Sequence, residues 1–121
     1  LIPVLDAVRK ADIVILAAPV YYGHVSGIFK SFIDRWYSFR DKERNLRMKE
    51  GRRLLFIIAQ GHPDPEAYEA PLRQMEKIFS GYGFKPHFLV AAGLEKPAMA
   101  KKDPALLQRA HEMGKHLIDG K

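Results

Sequence analysis

Two runs in the chain are apolar at every position, Ile13-Val14-Ile15-Leu16-Ala17-Ala18 and Leu54-Leu55-Phe56-Ile57-Ile58-Ala59. A run that never alternates offers no polar face, so each predicts a strand buried on both sides, as in a parallel sheet covered by helices. A third segment, Phe84 to Ala92, is more amphipathic and predicts a strand nearer the sheet edge. Pro19 follows the first run and, having no N–H to donate, is expected to stop the ladder there.

The intervening stretches carry apolar residues at helical spacing. Ile2 to Lys10 reads as the last turns of a helix, with Ile2, Leu5 and Val8 on one stripe. Ser26 is the expected N-cap of a helix to about Phe39, with Ile28, Phe29, Phe32, Ile33, Trp36 and Tyr37 forming a wide apolar face. Lys30 and Asp34 form an i,i+4 pair on its other side. A third helix is expected from about Glu66 to Ser80, irregular at its start because of Pro71, and Gly81-Tyr82-Gly83 ends it. Asp103-Pro104 places a cap before a proline at the first helical position and opens a final helix to about Ile118.

Strands that alternate with crossovers of helical length imply a parallel sheet with helices on both faces. The whole chain, 1–121, reads as one such unit. Leu54–Ala59 is expected beside the first strand and Phe84–Ala92 beyond it, which leaves one edge of Ile13–Leu16 open. Bare apolar edges are avoided in native proteins. The expectation is that residues upstream of Leu1, or another subunit, fill this one.

Composition narrows the chemistry. The absence of cysteine excludes disulfides, thiolate zinc sites and iron–sulfur ligation by these residues. It also suits a reducing compartment, so a cytoplasmic location is expected. No apolar run approaches the roughly 20 residues of a membrane span, and no membrane partner is expected. His111 and His116 lack the i,i+4 spacing of paired metal ligands, so no metal site is expected. The net charge of +6 is concentrated between Arg40 and Arg53, where seven basic residues stand against three acidic ones. Mixed signs within one connection do not resemble the basic, aromatic-interleaved face of a nucleic-acid reader, and no nucleic-acid partner is expected. The stretch reads as a solvated linker, or as a patch that attracts an anionic substrate or cofactor.

Open α/β sheets bind ligands outside the carboxyl ends of their strands. The loop Pro19-Val20-Tyr21-Tyr22-Gly23-His24-Val25-Ser26-Gly27 stands at that place, with two aromatic residues, a glycine and a histidine. Its residues alone indicate a ligand loop without specifying the ligand. His24, and His62 in the loop after the next strand, read either as exposed loop residues or as groups facing a ligand.

Ala11-Asp12-Ile13 leading into Ala18-Pro19-Val20-Tyr21-Tyr22-Gly23, followed by Ser26, Lys30 and Asp34-Arg35, resembles the NAD(P)H-dependent FMN reductases. The similarity is greatest to the branch that includes iron–sulfur flavoproteins and NAD(P)H quinone oxidoreductases. It implies a flavodoxin-like α/β fold, a three-layer αβα parallel sheet in which these residues supply family strands 3, 4 and 5. It further implies non-covalent FMN, NAD(P)H as electron donor, a small electron acceptor such as a flavin or quinone, and a homodimer or homotetramer. Through the resemblance, Pro19, Val20, Tyr21, Tyr22 and Gly23, with His24 and Ser26, border one edge of the flavin ring. Gln60, Gly61 and His62 match a second flavin-edge loop by position. No catalytic side chain is implied, because the flavin performs the hydride chemistry. The family's phosphate loop, which follows its first strand, and the cysteine cluster of one branch have no counterpart in these residues. A flavodoxin-type electron carrier and a flavin-free interaction module are the alternative readings.

Overall fold

In the computed structural model, which describes residues 1–96 and 98–120, helix α1 (Ile2–Lys10) leads into strand β1 (Ile13–Tyr21) and the two-residue strand β2 (His24–Val25). Helix α2 (Gly27–Asp34), strand β3 (Arg53–Ala59), helix α3 (Glu69–Gly81), strand β4 (Lys85–Ala91) and helix α4 (Pro104–Asp119) follow. The sheet order is β2-β1-β3-β4, with β1, β3 and β4 parallel and in continuous register from Ile13↔Arg53↔Lys85 to Pro19↔Ala59↔Ala91. The expected neighbours are therefore found in the expected order.

β3 is the strand its sequence describes. Leu54, Phe56 and Ile58 are fully buried in a cluster with Phe29, Ile33, Met75 and Phe79, from α2 and α3. Leu55 turns the other way and packs with Leu89, Leu106 and Leu117, beneath α4. The side-chain period of two thus serves one helix layer on each face. Trp36, with no exposed surface, is the hub of the larger cluster, its ring 5.5–5.9 Å from those of Phe32, Phe39, Phe79, Tyr82 and Phe84. Its neighbour Tyr37 is exposed.

β1 departs from its sequence reading in two respects. Val14 and Ala18 are buried as expected, but Ile15, on the opposite face, is 58% exposed. α4 lies over β4 and β3, and on that side of β1 its cluster reaches Ile13 but not Ile15. Pro19 also fails to end the strand, pairing with Ala59 while β1 continues to Tyr21. Between Ile13 and Pro19 the outer side of β1 has no strand partner among the described residues. A proline is tolerated on such an edge because its missing N–H interrupts no ladder there.

The helices differ from expectation mainly at their ends. α2 stops at Asp34 and tightens into a 3-10 turn, Arg35–Phe39, which carries both Trp36 and Phe39 into the core. Asp34 pairs with Lys30 at 2.5 Å, and Arg35 forms no ion pair among the described residues. α3 begins at Glu69 rather than Glu66, after the turns that precede Pro71. Asp103 caps α4 as expected, its carboxylate accepting the Leu106 N–H at 3.0 Å.

The basic connection is not a loose linker. Arg40 bridges to Leu46, and Arg52 is 94% buried by its 6% relative exposure. The Arg52 guanidinium donates to the carbonyls of Val8 at 2.8 Å, Lys49 at 3.2 Å and Ala11, and lies over the Phe84 ring. It thereby satisfies carbonyls at the end of α1 that have no helical partner. Burial pushes its pKa down, and the Asp12 carboxylate partly opposes that shift.

Candidate functional site

β1 and β2 form a hairpin whose register, Val20↔Val25 and Tyr21↔His24, leaves Tyr22 and Gly23 as the connecting pair. Both have positive φ, 50° and 79°, the signature of a type I′ turn, whose twist matches that of the flanking strands. Gly23 takes this conformation freely, whereas Tyr22 bears some strain and projects its ring fully into solvent. The loop expected after β1 is thus a rigid hairpin tip at the carboxyl end of the sheet.

Its polar groups are mostly committed. The Val25 N–H donates to His24 Nδ1 at 2.9 Å, so Nε2 carries the ring proton and donates to Gln74 Oε1 at 2.9 Å. With both ring nitrogens engaged, His24 acts as a tie between β2 and α3. The Ser26 hydroxyl accepts the Phe29 N–H at 3.2 Å and serves as the cap of α2. Val20 packs against the larger core cluster, so it offers the site only its backbone.

The second loop continues β3. Gln60 is 3% exposed, and its amide donates to the carbonyls of His62 at 2.9 Å and Asp64 at 2.7 Å. Its backbone accepts the Leu94 N–H and donates to Ala91 O, each at 2.9 Å, which fixes the loop beside the end of β4. Gln60 Oε1 is buried and has no hydrogen-bond partner among the described residues. His62 Nδ1 accepts the Asp64 N–H at 3.0 Å, which places the ring proton on Nε2, a donor with no partner among the described residues. Gly61 is exposed, beside the Glu95 side chain.

These two loops meet at a residue that the sequence reading did not single out. A Cβ placed on Gly23 would stand 3.8 Å from the Tyr68 ring, and the His62 ring lies edge-on to the same tyrosine at 6.1 Å. Tyr68 stands just before α3 as its N-cap, within the span expected to be helical. Pro19, Tyr21 and Ser26 face elsewhere, lining an apolar groove of about 500 Å³ with Ile15, Ile28 and Phe29 along the open side of β1.

No lysine or arginine belongs to either loop, and Glu69 occupies the first turn of α3. The exposed Tyr22 ring, the neighbouring Gly23 with no side chain and a buried amide oxygen without a donor among the described residues suit a flat heteroaromatic ring. They do not suit a phosphate dianion, which requires converging N–H donors or cations. Among the described residues, no group of three or more histidine, aspartate or glutamate side chains could hold a metal ion. No helix among them is long and apolar enough to cross a membrane.

Residues 3–117 match the model of a family described by its flavodoxin-like fold. A Bacillus subtilis (strain 168) protein, YwqN, provisionally named an NAD(P)H-dependent FMN-containing oxidoreductase, is 32% identical over 95 residues, covering 71% of this chain and 50% of that protein. An iron–sulfur flavoprotein of Archaeoglobus fulgidus is 27% identical over 113 residues, covering 93% of this chain and 47% of its own length. The chain therefore spans about half the length of these curated relatives. Among solved structures, that of the Trp repressor binding protein from Bacillus subtilis superposes with a TM-score of 0.69 at 25% identity, covering 89% of this chain and 71% of that one.

Proposed function

Since the chain belongs to the flavodoxin-like fold family, we propose that it forms the ring-binding part of an FMN-dependent oxidoreductase. Electrons would come from NAD(P)H and pass to a flavin, quinone or other small acceptor. The observation that supports this most strongly is the meeting of two loops, from the carboxyl ends of adjacent parallel strands, over Tyr68. The relatives' names, one an FMN-containing oxidoreductase and one a flavoprotein, support the same reading. We further propose a cytoplasmic homodimer or homotetramer, in which the open side of β1 is covered by additional chain or by another subunit.

FMN, when bound, supplies the electron-transfer chemistry itself. The chain's residues bind and orient it. The hairpin backbone at Tyr22 and Gly23 allows close approach to a planar ring, and the Tyr68 ring backs that approach. Gln60 holds its own loop rigid through two carbonyls and keeps one buried acceptor for a donor group. His62 Nε2–H is a proton-bearing atom that is available to a small ligand.

Gly23→Val tests this assignment. Valine is β-branched and resists the φ of 79° that the tip requires. The protein carrying this chain should then lose roughly tenfold or more in FMN affinity, about 1.4 kcal/mol, while its thermal unfolding stays cooperative. Unchanged FMN affinity would remove the hairpin from the site.

A further inference from the structure

The opposite, amino-terminal end of the sheet carries a feature that flavin binding does not use. The hairpin that follows the 3-10 turn folds back on the end of α3 and encloses an open cleft of about 740 Å³. Arg40, Lys42, Arg44 and Arg47 line it, with Asp41 as the one carboxylate.

This charge cluster is ordered by the backbone rather than by counter-ions. Asp41 N–H donates to Asn45 O at 2.9 Å, and Arg44 N–H donates to Asp41 O at 3.0 Å. The Asp41 carboxylate accepts the Glu43 and Asn45 N–H groups, each at 2.9 Å. Arg40 donates to Arg44 O at 3.0 Å and to Gly81 O, and its guanidinium lies 4.9 Å from the centre of the Tyr82 ring. None of the four cations forms an ion pair among the described residues, where every ion pair lies within a helix. Like charges that line one cleft repel one another until an anion enters, an effect that salt screens over a Debye length of about 8–10 Å.

We propose that this cleft binds a chain of linked phosphates. The donor set matches that chemistry. The arginines offer planar, multidentate donors, the lysine offers a point charge, and Arg40 is already oriented by its three contacts. A cleft of this volume lies in the range of small-ligand sites, whereas a nucleic-acid surface extends its cations over a whole face. Tyr37, 67% exposed at the rim, gives a nucleobase a surface to stack on. The phosphates could thus belong to an inorganic polyphosphate or to a nucleoside di- or triphosphate. The site stands at the far end of the sheet from the flavin loops, so it does not depend on their assignment.

Titration calorimetry of the protein carrying this chain, in metal-free buffer of moderate ionic strength, tests the site with inorganic tripolyphosphate, orthophosphate and a nucleoside triphosphate. Saturable tripolyphosphate binding is expected, at least tenfold tighter than orthophosphate and at least tenfold weaker in Arg44→Gln/Arg47→Gln. Both of these residues are exposed and make no side-chain hydrogen bond among the described residues, so the double variant should melt as the parent does. A nucleoside triphosphate that binds tighter still, with the gain lost in Tyr37→Ala, identifies the nucleotide as the source, and equal affinities identify the inorganic chain. No saturable binding, binding unaltered in the double variant, or tighter binding of a duplex oligonucleotide than of tripolyphosphate would overturn the proposal.

Discussion

The two ends of one parallel sheet offer opposite chemistry. At the carboxyl end the register closes on Pro19, Ala59 and Ala91, small residues that leave space for a hairpin tip, a buried amide and Tyr68. At the amino end it opens on Arg53 beside Lys85, with Arg52 buried beneath the end of α1 and the four-cation cleft next to α3. One end has no lysine or arginine in its two loops and is suited to a planar ring; the other is cationic and suited to anions. Strand polarity explains why both can exist, since every crossover here delivers a loop from the carboxyl ends and returns a helix to the amino ends.

Arg52→Met should sharpen this contrast most, because the amino end is held by charge that also builds the fold. The variant leaves the carbonyls of Val8 and Ala11 without their buried donor, and about 2–4 kcal/mol of stability should be lost in urea unfolding. Flavin affinity should change far less than in Gly23→Val. A loss below about 0.5 kcal/mol would show that the guanidinium merely rests at this position.

A smaller effect concerns His87, whose ring stands 5.1 Å from that of His116 beneath α4. Burial, then the charges of His116 and Arg53, push its pKa below the ordinary value of 6.5. The unfolded chain therefore takes up this proton at a higher pH than the folded one does. Stability is complete above the unfolded value and declines as pH falls through the folded one. His87→Gln should flatten the decline in unfolding free energy between about pH 7 and about pH 5. An unchanged slope would assign that decline to other groups.

Much of this fold was legible because a parallel strand writes its burial into consecutive residues. Leu54–Ala59 was read correctly on both faces, since the helices that cover it lie in the same chain. Ile13–Ala18 looks equivalent in sequence, yet Ile15 is exposed, because a strand cannot specify what lies across from it. The loop after β1 was legible by its place in the fold but not by its shape. Asn-Gly or Asp-Gly is the usual type I′ signal, and a tyrosine at positive φ is uncommon. Tyr68 went unnoticed because its contacts, to Gly23 and His62, arise only when α3 docks on the sheet. Arg52 was counted among linker charges, although its guanidinium reaches Val8, 44 residues earlier.

The central claim, that the hairpin tip and the Gln60–His62 loop border a flavin ring, is tested most directly by amide hydrogen exchange in the protein carrying this chain, with and without FMN. The predicted result is protection at Tyr22–Val25 and at Gln60–His62, with Arg40–Arg47 exchanging as before. Exchange unaltered in both loops, or protection confined to Arg40–Arg47, would contradict it.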